Sequence, residues 1–168
     1  MDVVDNNEML DMEDDGELDI HDYHHSDEVI LKTHESINHD LNGEIIKLEK
    51  GYSEVKLETN PEMVADEQGL IHGGFVFSAA DYAAMIAVNE PNVVIVAADC
   101  QFLSPVKYGD VVNIKAKVRH KEGRKRNVKV SGFVYDIKVF EGEFKTVVTE
   151  RHVLRLKLLE GEVDDDEE

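Results

Sequence analysis

Hydrophobic and polar positions along the chain fall into two periods. From Tyr52 to Thr59 they alternate, with Tyr52, Glu54, Lys56 and Glu58 set against Ser53, Val55, Leu57 and Thr59. A period of two is that of a strand with one face on a core. Positions 112, 114, 116 and 118 alternate in the same way with Asn113, Lys115, Lys117 and Arg119, as an antiparallel strand does. Two strands are predicted between residues 44 and 59, around Glu49-Lys50-Gly51. Four more follow at Val93 to Phe102, Asp110 to His120, Asn127 to Lys138 and Glu143 to Leu158. The turns between them are predicted at Ser104-Pro105 through Gly109, at Lys121-Glu122-Gly123 and at Val139 to Gly142. Ahead of these four, after a loop from Glu62 to Ile71, the run from His72 to Val88 is apolar on every face. A helix of that kind is buried, and Glu90-Pro91-Asn92 ends it. Nearer the N-terminus, Ser26-Asp27-Glu28 is a helix start, Ile30, His34, Ile37 and Leu41 follow at helical spacing, and Asn42-Gly43 is a stop. Strands, one buried helix and then an unbroken run of strands make an α+β fold, with a single long helix on an antiparallel sheet.

The buried helix has two features that packing does not require. It opens on Gly73-Gly74 with no Ser, Thr, Asp or Asn just before them. The first N–H groups of a helix lack internal partners, and glycine lets another group come close to them. Such an end suits a carbonyl oxygen or an anion. The helix also carries Asp81 in the middle of its apolar run. A carboxylate among apolar side chains is costly, and its pKa rises. On these residues alone a structural reading stands equal: the glycines end a loop, and the aspartate reaches solvent or a nearby N–H. Phe75, Phe77, Tyr82 and Met85 line either an apolar pocket or the core.

Charge changes the picture of the termini. The net charge is −19, yet residues 1–28 hold twelve Asp/Glu and residues 160–168 hold seven, with no Lys or Arg in either. The rest of the chain is neutral. The expected organisation is an acidic tail over 1–26, a short helix or linker over 27–42, one domain over 43–158 and a second acidic tail over 159–168, both tails disordered. His21, His24 and His25 read as part of a solvated tail, and no metal site is expected. Cys100 is alone, so no disulfide framework exists. No apolar run reaches the length of a membrane span, and the acidic start is unlike a secretory signal. Cytoplasmic localisation without membrane contact is the expectation. Direct nucleic-acid binding needs a basic face, which the acidic tails oppose. Arg119, Lys121, Arg124, Lys125, Arg126 and Lys129 cluster about one turn, either as a solvated hairpin or as an anchor for phosphates. The tails have three open uses: solubility, competition with an anionic ligand for that turn, or contact with a protein partner.

Over residues 43 to 157 the chain resembles the hotdog-fold acyl-CoA thioesterases, in which a curved antiparallel sheet wraps one long central helix. The resemblance rests on Gly69-x-x-His72-Gly73-Gly74 followed by Asp81, on Phe102-Leu103-Ser104-Pro105-Val106, and on Gly109-Asp110. These are similar to the phenylacetate-pathway branch. The resemblance implies that the N–H of Gly73, with Gly74, binds the thioester oxygen. It implies that Asp81 is nucleophile or general base, and that His72 positions the loop or the substrate. Asp66, Gly69 and Phe75 fall beside the substrate, and Arg119, Arg124 and Arg126 near the coenzyme A phosphates. Coenzyme A enters as part of the substrate, with no separate cofactor. Two departures stand out: Asp66 where many members have Asn, and Ile95 where several have Ser or Thr. Asp66 could add a second carboxylate near Asp81 and raise its pKa. The chain is also similar to the acyl-CoA-binding domain of the malonyl-CoA-responsive repressor of fatty-acid synthesis, which binds without hydrolysis. That domain has Asn at Asp81 and Arg at His72.

Eight residues of helix separate Gly73 from Asp81, roughly 12 Å at ~1.5 Å per residue. One helix does not present both to a single carbonyl carbon, whereas two antiparallel copies do. The thioesterase reading therefore predicts a homodimer with two equivalent sites, with dimers of dimers left open. The alternative is a non-catalytic acyl-CoA-binding module with a regulatory role.

Overall fold

The computed structural model describes residues 28–156. The acidic tails 1–26 and 159–168, with His21, His24, His25 and the Ser26-Asp27 helix start, lie outside the described residues.

Six strands follow the alternating segments: β1 Glu44–Glu49, β2 Tyr52–Glu58, β3 Val93–Phe102, β4 Val111–Glu122, β5 Lys125–Val134 and β6 Ile137–Val148. They form one antiparallel sheet in the order β1-β2-β4-β5-β6-β3. Its inner face carries Val55 and Leu57 of β2, Val112, Ile114 and Ala116 of β4, Val128 and Val130 of β5, and Phe140 and Phe144 of β6, all buried. Those of β2 and β4 sit at the alternate positions that the sequence pattern marks as apolar, whereas Phe140 falls where the sequence predicts a turn.

The apolar run forms α2, Gly73–Val88, and it contacts all six strands. Six strands spaced ~4.8 Å apart span about 24 Å, twice the width of a helix, so the sheet must curl around α2. Ala79, Ala80, Ala83, Ala84 and Ala87 are fully buried, and their small side chains let the helix backbone lie close to the strands. Tyr82, Met85 and Ile86 supply bulk, Met85 and Ile86 each worth about 1.5–3 kcal/mol on burial. Ser53 lies on the buried face of β2 and satisfies its hydroxyl by donating to the Ala83 carbonyl at 2.6 Å. The helix ends where Asn89 turns left-handed, φ 50°, and returns its N–H to the Met85 carbonyl. Among the described residues no helix is long and apolar enough to cross a membrane.

Three sequence expectations are corrected. Of the helix over 27–42, only one turn forms, α1 His39–Asn42, capped by Asn38. His34 adopts φ 55°, which no right-handed helix passes through. The segment before it runs as a strap along the end of α2: Asn89 accepts from the Lys32 N–H and donates to the Ile30 carbonyl, both at 2.8 Å. The last hairpin turn lies at Tyr135–Asp136, not at 139–142. Gly142 is a strand residue opposite Cys100. It is glycine because a Cβ there would stand 2.8 Å from the Cys100 Cβ, a packing need that reads in sequence like a turn. Finally, β6 stops at Val148 rather than Leu158. Thr149 closes onto the Asn92 carbonyl and a short turn, Val153–Arg155, follows.

Candidate functional site

The N-terminal end of α2 is built by the loop before it. Asp66 accepts the N–H groups of Gln68 and Leu70 at 3.0 and 3.1 Å, an aspartate turn that folds the loop back on itself. Gly69 takes φ 84° and its carbonyl accepts from the Tyr108 N–H at 2.7 Å. This places His72 at the helix cap with a backbone bond to the Met63 carbonyl at 2.9 Å and no side-chain cap on the helix. Both glycines have close neighbours that a side chain would have to displace. A Cβ at Gly73 would meet the Phe102 ring at 3.3 Å, and one at Gly74 would meet the His72 ring at 3.2 Å. The His72 ring in turn lies edge-on to half-buried Phe75, 6.1 Å between centroids. Gly73 opens into a cleft of about 360 Å³ lined by apolar Leu70, Val76, Phe102, Leu103 and Val106. An uncapped helix end facing an apolar cleft can accept a carbonyl oxygen whose substituent is greasy.

Asp81 lies elsewhere. It shares a cleft of about 570 Å³ with Thr33, His34, Met85, Ile95 and His152. One carboxylate oxygen, Oδ1, is buried and has no hydrogen-bond partner among the described residues. Burial pushes the Asp81 carboxyl up to about 6. Within one chain Asp66 is exposed and spends its Oδ1 on the loop, and burial alone raises Asp81. A carboxylate poised near neutrality is suited to taking a proton from water. The floor of the cleft is shaped by a β-bulge between Ile95 and Ala97, where β3 slips register against β6. Ile95 itself lines the cleft, so the position where the resemblance expects a hydroxyl brings an apolar side chain to Asp81.

Gly73 and Asp81 thus open into two different clefts of one chain. A single copy does not bring them to one carbonyl, as the helix spacing requires.

Residues 68–141 match the family model described as the thioesterase superfamily. The acyl-coenzyme A thioesterase PaaI of Escherichia coli is 34% identical over 62% of this chain and 70% of its own length. The chain belongs to the thioesterase superfamily. An uncharacterized protein from Pyrococcus horikoshii, of solved structure, is 48% identical, with a TM-score of 0.74 over 75% of this chain and 97% of that one. The hotdog fold of the superfamily is therefore the fold of this chain. Two other relatives are longer. A methylthioribose-1-phosphate isomerase of Aquifex aeolicus is 53% identical over 70% of this chain, which spans about a quarter, 26%, of that protein. The transcription factor FapR of Caldanaerobacter subterraneus is 32% identical over 67% of this chain, which spans 57% of it.

The basic hairpin of this superfamily member does not converge on one point. Arg119 lies on the outer face of the sheet, in a groove with His120, Asn127 and Lys129 and also the carboxylates of Asp99, Glu141 and Glu143. Arg124 pairs with Glu150 at 2.9 Å on the surface. Arg126 is buried, because alternation along β5 puts it on the same face as Val128 and Val130, and it donates to the turn carbonyls of Gly123 and Lys125 at 2.7 and 3.0 Å. Of the three arginines, Arg119 is the one free of such intrachain bonds among the described residues. Cys100 is half-buried, and burial, followed by the Asp99 charge, pushes its thiol up, which makes it a poor nucleophile. Ser78 donates to Asn42 and is likewise occupied. Thr33, His34 and His152 were not marked by the sequence pattern. Each comes from a segment remote from α2 in sequence, and no motif ties those segments to Asp81.

Proposed function

We propose that this protein hydrolyses an acyl-CoA thioester at a site that two copies of the chain build together. The observation that carries the reading is Asp81: a carboxylate on the central helix that lines an open cleft and has one oxygen buried without a partner among the described residues. Structure alone gives that group no reason to be there, since an unpaired buried carboxylate costs stability. In the proposed reaction the thioester carbonyl lies against the Gly73 N–H of one copy, and Asp81 of the other takes a proton from water. The hydroxide forms a bond to the carbonyl carbon, and the resulting oxyanion is held by the helix N-terminus. The carbon–sulfur bond then breaks, and the coenzyme A thiolate leaves and takes up a proton. Arg119 on the outer groove is the residue left to meet a coenzyme A phosphate. The likeness to PaaI supports acyl-CoA as the substrate class.

A second reading is a non-catalytic acyl-CoA-binding protein. Ile95 favours it, because an apolar side chain beside Asp81 cannot hold a water, and so does the likeness to FapR. One experiment separates the two. Thiol release from short, long and aromatic acyl-CoAs is measured for the wild type and Asp81→Asn, with binding followed in parallel. Turnover lost in the variant with binding retained supports the hydrolase. Binding without turnover on every substrate overturns it in favour of the second reading.

A further inference from the structure

The strap over residues 28–38 brings two polar side chains to Asp81. Thr33 is only 6% exposed, although threonine has no reason to be buried on a segment without regular structure. Its Oγ1 lies 2.8 Å from Nδ1 of His34. His34 holds φ 55°, a left-handed backbone uncommon outside glycine, although histidine enters it more readily than most residues. Contacts on both sides hold it there: Asn89 grips the strap on one side through Lys32 and Ile30, and the Ile37 N–H closes a turn onto the His34 carbonyl at 3.2 Å on the other. Strain of this kind tends to persist where a side chain is held for a purpose. Both Thr33 and His34 line the Asp81 cleft.

We propose that His34, oriented by Thr33, is a positioning residue of the Asp81 site, holding the attacking water between its imidazole and the Asp81 carboxylate. The inference rests on the hydrolase reading and supplies the polar group that Ile95 withholds. The Thr33 contact occupies Nδ1, so Nε2 is the nitrogen left for water. Other titratable groups border the pair. His152, on the C-terminal turn, is exposed and spends its Nδ1 on the Leu154 N–H at 3.2 Å. Tyr82 of α2 lies 6.4 Å from the His34 ring, centroid to centroid, and keeps a phenol pushed up by burial. Beyond Tyr82, His39 bonds the Gly43 carbonyl through Nδ1. Burial lowers His34, which keeps its imidazole neutral at neutral pH, as a water-holding group requires.

Two measurements test this on the full chain. In the first, thiol release is followed against pH for wild type, His34→Gln and His34→Ala. A positioning role predicts kcat lower by about tenfold to a hundredfold with KM within about threefold. It also predicts an acid limb whose limiting slope falls from two protons to one in both variants, and partial recovery of His34→Ala by added imidazole. Full activity in His34→Ala, or a loss with the wild-type slope and no recovery, overturns the proposal. In the second, the ring signal of His34, assigned by its disappearance in His34→Gln, is titrated by NMR in wild type and Asp81→Asn. A shared site predicts a lower pKa in Asp81→Asn, because the carboxylate that favours the imidazolium is gone. An identical titration overturns it. This second readout needs no turnover: an inactive wild type with coupled His34 and Asp81 would sink the hydrolase reading and leave the shared site standing, whereas an active wild type with uncoupled groups would do the reverse.

Discussion

The start and the middle of the central helix carry the two candidate groups, made of different materials. At Gly73 the candidate group is backbone. It is placed by a loop held through Asp66, Gly69 and Met63, and its cleft is apolar. At Asp81 the candidate group is a side chain. It sits in the middle of the helix, and its cleft takes walls from the strap, from bulged β3 and from the C-terminal turn. The first is local in sequence and the second is assembled from segments more than a hundred residues apart, Thr33 and His152 among them. A helix N-terminus can be uncapped and exposed at little cost. A half-buried carboxylate cannot, so its environment has to be built by the whole fold. Neither cleft contains both groups, which is why the proposed hydrolase needs two chains to build one site.

The largest expected effect breaks the side-chain group. Asp81→Asn should lower thiol release about 10³-fold while ligand binding survives, as measured by steady-state kinetics beside calorimetry. Next comes a test of whether the two groups meet across two chains. Gly73→Val crowds the Phe102 ring and blocks the helix end, so homodimers of either variant should be inactive. Co-expressed Asp81→Asn and Gly73→Val chains should recover about a quarter of wild-type turnover, since half the dimers are mixed and each mixed dimer has one intact site. No recovery, with mixed dimers demonstrated by mass, would place both groups in one chain.

A smaller effect concerns pH and stability. With Asp81 raised to about 6 from an ordinary 3.8, turnover should rise as pH passes upward through about 6. Stability should move the other way. Between those two values the folded chain keeps a proton that the unfolded chain has lost, so stability falls as pH climbs through that window. Above it, Asp81→Asn should be more stable than wild type by on the order of 2 kcal/mol, and near about pH 3.5 the difference should vanish. Thermal melts at both pH values check this. Gly142→Ala serves as a control away from both groups: a Cβ pressed on Cys100 should cost about 1–3 kcal/mol with kcat unchanged. The smallest effect is expected at the basic hairpin. Arg119→Ala should weaken acyl-CoA binding about threefold at low salt and less at high salt. Arg124→Ala, which only breaks a surface pair with Glu150, should leave binding unchanged.

Much of this was legible from alternation and punctuation. β3 carries the predicted bounds, Val93–Phe102, and β2 and α2 differ from expectation by a residue at each end or less, because apolar periodicity, Asn60-Pro61 and Glu90-Pro91-Asn92 are strong signals. Two of the three failures have a common physical origin. Gly142 looks like a turn glycine but answers to Cys100 on the neighbouring strand. Tyr135 turns the chain with positive φ although nothing about tyrosine favours it. Ile30, His34, Ile37 and Leu41 are spaced for a helix, yet the strap finds its hydrogen bonds in Asn89. For Gly142 and the strap a partner distant in sequence overrides a local preference; for Tyr135 the structure shows no such partner among the described residues.

The functional residues divide along the same line. Gly73, Gly74 and Asp81 could be marked without coordinates, because uncapped glycines and a lone carboxylate are anomalies within an apolar run of seventeen residues, His72 to Val88. Local covalent order is enough to make them odd. Nothing local made Thr33 and His34 odd, nor separated Arg119 from Arg126, two cations near one turn. Which of those arginines faces outward follows from strand parity and register. Which histidine reaches the carboxylate follows from how the strap and the C-terminal turn close over the helix. Both are decided by packing between elements, where energies depend on neighbours that the order of residues does not name.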